Sequence, residues 1–221
     1  MPDLITVKGP ADGVACLTLD RPEKKNALSI RLRDEVSDAL DGLAADDAVK
    51  VVVVTGAGDV FSAGFDLKEF EQPELADELW KSSDRFHATV LQFPLPLVAA
   101  VNGPAFAGGF DLAVMCDLRV AADTARFAHP EITFGDVVFG PLHDLVGGAV
   151  ARDLCLTGRA VEAAEAKELG LVSSVVPASE LPAEVSRFTD QIVRAPREVL
   201  ARTKAKAIRR AAVVTESTLD L

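Results

Sequence analysis

Val101-Asn-Gly-Pro-Ala-Phe-Ala-Gly-Gly-Phe-Asp111 is the stretch on which the fold turns. The apolar run Leu97 to Val101 just before it, introduced by Pro94 and Pro96, reads as a buried strand. Small residues follow, and a short helix is predicted after them. A second stretch repeats the arrangement. Val51-Val-Val-Val54 is β-branched throughout, as expected of a strand buried on both faces. Gly56-Ala-Gly-Asp59 ends it, and Phe61-Ser-Ala-Gly-Phe-Asp-Leu-Lys68 leads toward another helix. Strand-to-helix junctions of this kind present free N–H groups with the positive end of a helix dipole behind them. Small residues let a ligand approach the backbone, and two such amides from separate loops could hold an oxyanion. Taken singly, either loop could serve only turns and packing.

Working outward, residues 4–8 and 14–19 alternate as two short strands around Gly9-Pro-Ala-Asp-Gly13. Ser29 is a suitable N-cap for a helix to about Ala45, with Leu32, Val36, Leu40 and Leu43 on one face. Leu75, Leu79, Phe86 and Val90 mark a helix over 74–92. Extended segments are expected at Leu118 to Ala121, Arg126 to Ala128 and Leu171 to Val176, the rest of 149–208 being helical. Strands alternating with helices imply an α/β fold with buried sheets.

At 221 residues the chain can bury one large core. Its net charge of −11 argues against general nucleic-acid or anionic-membrane binding. Residues 194–210 are the exception. Arg194, Arg197, Arg202, Lys204, Lys206, Arg209 and Arg210 face one acid, Glu198, so this stretch carries +6 and the remainder −17. It could be a solvated helix face or could meet a polyanion. Cys16, Cys116 and Cys155 are scattered and form no metal or disulfide pattern. No apolar run approaches the ~20 residues that cross a bilayer, and the N-terminus lacks a signal-peptide core. A cytoplasmic protein is expected. Gly56-Ala-Gly58 lacks the remaining glycines of a dinucleotide fingerprint, and Ser62 is not in a nucleophile elbow.

Together with Arg21-Pro-Glu-Lys-Lys-Asn-Ala-Leu28 and His129-Pro-Glu131, the two loops resemble, in order and spacing, the signature segments of the enoyl-CoA hydratase/isomerase (crotonase) superfamily. Cys116-Asp-Leu-Arg-Val-Ala-Ala122 and the segment from Leu156-Thr-Gly-Arg159 to Leu169-Gly-Leu-Val172 extend the match, over roughly residues 4–210. The resemblance implies an α/β, crotonase-like spiral of strand–strand–helix units. Residues 1–195 would form its core and 196–221 the start of a helical C-terminal region that is incomplete by the family's pattern. It implies a homotrimer or dimer of trimers and an acyl-CoA thioester substrate, with no cofactor besides the coenzyme A of the substrate. Neither a nucleic-acid nor a membrane partner is expected.

By motif position, Phe65 and Gly108 would supply the oxyanion-hole amides, and Glu131 and Asp111 would be the catalytic acid/base carboxylates. Ala63, Asp66, Leu67 and Lys68 would line the path of the coenzyme, with Lys24 and Lys25 as further contacts. Two carboxyls in one small, partly dry pocket should have their pKa values pushed apart, leaving an acid and a base at neutral pH.

Three departures bear on the reaction. Asp111 is one methylene shorter than the usual glutamate, and Phe65 replaces a common alanine. The segment Gly135 to Asp144 is shorter than the family's loop and holds His143, a candidate catalytic extra, while Phe139 stands where some dienoyl-CoA isomerases carry aspartate. Reversible hydration of a 2-enoyl-CoA is the leading expectation. The rivals are double-bond isomerisation by Glu131 alone, hydrolysis, and a catalytically idle acyl-CoA binder.

Overall fold

The computed structural model describes residues 3–211 and 217–221. Ile5–Ala11 (β1) and Val14–Leu19 (β2) form an antiparallel pair, followed by Ile30–Ala45 (α1) and Val51–Gly56 (β3). Ser29 caps α1 as expected, its side chain accepting from the Leu32 N–H. Then come Leu67–Phe70 (α2), Ala76–Gln92 (α3), Leu97–Val101 (β4) and Ala105–Phe106 (β5). The helix predicted from residue 74 starts at Ala76, because Pro73–Leu75 form a 3₁₀ turn before it. Gly108–Met115 (α4), Leu118–Ala122 (β6), Arg126–Ala128 (β7) and Gly140–Thr157 (α5) follow. The chain continues through Val161–Glu162 (β8), Ala163–Glu168 (α6), Ser174–Val176 (β9), Leu181–Ile192 (α7) and Arg197–Ala211 (α8). The strand expected from Leu171 is thus shorter: Leu171 and Val172 are buried in the helical core and only Ser174–Val176 pair.

Six strands form one sheet in the order β1-β2-β3-β4-β6-β9, parallel from β2 onward. A small sheet, β5-β7-β8, stands beside it. The four valines of β3 explain why their run is continuous. Val52 and Val54 join the large core under α1, α3, α4 and α5, while Val51 and Val53 pack on the opposite face with Leu181 and Val185 of α7. Both faces of the sheet are dry, so alternation is lost.

Helix α8 is tied to this body by two of its basic residues. Lys204, 7% exposed, donates to Leu95 O and pairs with Asp117, each at 2.8 Å. Arg197 donates to the carbonyls of Val49 (3.0 Å) and Ala44 (2.6 Å). The exposed charge of the segment therefore resides mainly on Arg194, Arg202, Lys206, Arg209 and Arg210.

Candidate active site

The two small-residue loops meet because three polar side chains and several glycines leave them no alternative. Asn26, fully buried at φ +53°, donates its side-chain amide to the carbonyls of Ala57, Val60 and Phe61 and accepts from Arg21 N. Asn102 spans from β4 to Gly56 N (3.1 Å) and Gly58 O (3.0 Å). Ser62 donates its hydroxyl to Asn26 O at 2.8 Å and accepts from Gly64 N at 3.2 Å. Its place is structural, in line with the absence of a nucleophile elbow. Phe106 N donates to Ser62 O at 2.9 Å, which joins the loops directly.

At this junction Gly64 (φ +88°) lies so close to α4 that a Cβ on it would be 2.7 Å from Ala107 Cβ and 3.1 Å from Gly108 N. Ala107 itself has φ +50° and ψ −132°, a conformation that costs of order 1–3 kcal/mol in a residue with a Cβ. The Ala107 N–H to Ala128 O bond (2.9 Å) holds the chain there. As the first residue of α4, Gly108 has an amide without an intrahelical acceptor.

Asp111 is on the first turn of α4, and Glu131 is in the 3₁₀ turn Pro130–Thr133 that follows β7. The structure brings them together around a third group, His129. Its Nδ1 lies 3.0 Å from Glu131 Oε1 and 3.6 Å from Asp111 Oδ1. The imidazole is fully buried and lies against Phe110, ring centroids 4.6 Å apart and planes tilted by 31°. Asp111 Oδ1, Glu131 Oε2 and His129 Nε2 are buried without chain partners. Burial pushes the Asp111 carboxyl up to about 7, the nearby charge of Glu131 adding to the rise and His129 opposing it. For His129, burial alone would lower the pKa, but the bond to Glu131 and the charge of both carboxylates outweigh it and raise it. Cys155, on α5, is held neutral beside them, burial and the two carboxyls lifting its thiol to about 11.

These three donors lie within 4.8 Å of one another, close enough for a small cation. The His129 Nδ1 and Glu131 Oε1 atoms are engaged with each other, however, and the arrangement suits holding and moving protons.

The remaining expected residues divide. Lys25 O accepts from Ala63 N (3.0 Å), which sets the Lys24–Lys25 turn beside Ala63, and both lysines are exposed along with Leu67 and Lys68. Asp66 is committed to the fold: it pairs with Arg21 at 2.8 Å and caps α2 through Lys68 N. His143 is half-exposed, with Asp144 and Phe139 as its neighbours.

Sequence reasoning quoted His129 only within its motif, and it missed Arg33 and His87 altogether. Arg33, buried on α1, donates to Leu28 O and Leu79 O and lies 4.4 Å from the Phe65 ring centroid. His87 flanks the same ring at 6.1 Å. A bulky residue at position 65 in need of lining was the one available signal.

Residues 9–220 match the family model described as enoyl-CoA hydratase/isomerase. The chain belongs to this family. An enoyl-CoA hydratase family relative of Mycobacterium bovis, named "Probable enoyl-CoA hydratase echA8", is 39% identical over 203 residues, covering 90% of this chain and 78% of its own. The 2,3-dehydroadipyl-CoA hydratase of Escherichia coli K12 is 35% identical over 207 residues, covering 88% and 81%. The crystal structure of an enoyl-CoA hydratase from Mycobacterium smegmatis superposes with a TM-score of 0.87 at 36% identity, over 96% of this chain and 84% of that one. The α/β fold is accordingly that of the crotonase superfamily, as the loop motifs implied.

Proposed function

We propose that the chain catalyses the reversible hydration of a 2-enoyl-CoA, with Glu131 and Asp111 as its acid/base pair. The observation that carries this reading is the buried approach of the two carboxyls through His129, beside the junction of the two glycine loops. The names of the hydratase relatives support it. Phe65 and Gly108 would donate their amides to the thioester oxygen. Glu131 takes a proton from water as its oxygen bonds to Cβ, and the alkene electron pair moves onto the thioester as an enolate. Asp111, which holds a proton up to about pH 7, then delivers it to Cα. One proton passing between the carboxyls resets the site, and the reverse sequence expels water.

Ala63, Leu67, Lys68, Lys24 and Lys25 would flank the coenzyme portion of the substrate, with Asp66 shaping their loop through Arg21. The site calls for no cofactor beyond the substrate's own coenzyme A. We expect a homotrimer or a pair of trimers, for which the exposed Phe134 and Leu156 are suitable contact residues. No helix among the described residues is long and apolar enough to cross a membrane. A cytoplasmic location rests on the three unpaired thiols.

The test is a panel of 2-enoyl-, 3-enoyl- and dienoyl-CoA thioesters assayed with wild type, Asp111→Asn and Glu131→Gln. Loss of hydration in both variants is the expected result. Isomerisation lost only in Glu131→Gln would replace this reading with the isomerase one. Binding without turnover would leave an idle acyl-CoA binder.

A further inference from the structure

We propose that His129 is a positioning residue that clamps one oxygen of Glu131 and leaves the other as the free basic atom of the site. This rests on the acid/base role of Glu131 proposed above and extends it to a group outside the carboxylate pair.

The geometry gives each atom a place. His129 Nδ1 is at hydrogen-bond distance from Glu131 Oε1 (3.0 Å), whereas Asp111 Oδ1, at 3.6 Å, is beyond it. Donation through Nδ1–H therefore goes to Glu131. Glu131 Oε2 remains buried without a chain partner, so it is the oxygen with unspent acceptor capacity. His129 Nε2 is likewise buried and unpartnered. The tautomer with its proton on Nδ1 leaves a bare acceptor at Nε2, whereas the other tautomer would strand a buried N–H and lose the bond to Glu131. The ring cannot swing away, because it is fully buried against Phe110.

The other titratable groups around the imidazole do not compete for it. Asp111 approaches from α4 and retains its own proton to about pH 7, while Cys155 from α5 is a neutral thiol bonded to Val138 O. One donor thus fixes the orientation of the carboxylate next to a protonated Asp111.

The experiment compares His129→Gln, which keeps an amide donor, with His129→Leu, which keeps bulk and loses the donor. Steady-state hydration of a 2-enoyl-CoA is followed against pH. His129→Leu should lose roughly 100-fold in kcat with little change in KM, as for a reactive group displaced by about 1 Å. His129→Gln should lie between the two and nearer wild type. Equal losses in both variants would overturn the proposal, and so would an unaffected His129→Leu.

A second measurement needs neither variant to fold nor any turnover. Imidazole nitrogen NMR of the wild-type protein, recorded at a pH high enough for the ring to be neutral, should show the Nδ1–H tautomer for His129, with its signals displaced in Glu131→Gln. An Nε2–H tautomer would overturn the clamp. If wild type fails to hydrate enoyl-CoA esters yet shows the Nδ1–H tautomer coupled to Glu131, the hydratase reading falls and the clamp stands.

Discussion

The ring of Phe65 occupies the space over Gly108 in which a side chain would begin. A Cβ at Gly108 would lie 2.8 Å from ring atoms Cδ1 and Cε1. The two residues proposed to donate the oxyanion-hole amides are thus in mutual contact, and the ring is braced from behind by Arg33 and His87. The side chain at position 65 thus packs against the start of α4.

Gly108→Ala should therefore lower kcat/KM for an enoyl-CoA ester by at least about tenfold, because either the ring or α4 must shift. In a Phe65→Ala background the same substitution should cost less. For residues in contact, coupling of roughly 0.5–3 kcal/mol is expected from the double-mutant cycle. Strict additivity in steady-state kinetics would show that the contact does not shape the hole.

Asp111 makes the stability of the fold depend on pH. Its carboxyl rises from 3.8 to about 7 on burial, so folding takes up a proton between those values. The associated stability is fully present below pH 3.8 and is lost as pH rises through about 7. A shift of this size corresponds to about 4 kcal/mol. Asp111→Asn has no such dependence. Urea unfolding across this range should show the variant gaining on wild type from acid toward neutral pH, then levelling off. A constant difference would contradict the assignment.

Lys204→Met should loosen α8, which Arg197 would still tie to the body. The substitution keeps the apolar stem but leaves Asp117 with only the Leu97 N–H and removes the bond to Leu95 O. Breaking a buried pair costs about 3–5 kcal/mol; because the Asp117 side chain is 32% exposed, about 2–3 kcal/mol is expected here. The midpoint of urea unfolding measures it, and a loss below about 0.5 kcal/mol would mean that the pair is dispensable.

The exposed charges of the same helix offer a separate test. Neutralising Arg202, Lys206, Arg209 and Arg210 together should weaken CoA-ester affinity at low salt and have a smaller effect at high salt, if they meet the phosphates of the coenzyme. Calorimetric titration at two ionic strengths reads this out. Unchanged affinity at low salt would identify the stripe as a solvated face.

The two loops were legible because their logic is local. The spacing of Gly108 and Asp111 fixes one turn of helix, and the loops after two apolar strands announce themselves by small residues. Asp66 differs in this respect. Its motif position implied a substrate contact, and the structure adds a pairing with Arg21, 45 residues away in sequence, which no local pattern reports. The basic stripe was ambiguous in the same way, since Lys204 and Arg197 are indistinguishable in sequence from their exposed neighbours.

The sequence by itself determined that β3 is covered on both faces and that two glycine loops open onto helices, while its resemblance to the crotonase motifs pointed to Asp111 and Glu131. Burial and backbone conformation follow from hydrophobic runs and from residues that tolerate close approach, and these are written along the chain. Only the tertiary structure decided that His129 stands between the carboxyls, that Phe65 closes over Gly108, and that Asp66 holds Arg21. Those relationships depend on which side chains from distant segments share a few ångströms of dry space. There a hydrogen bond or a shifted proton affinity is set by distance and desolvation, which residue identity and spacing leave open.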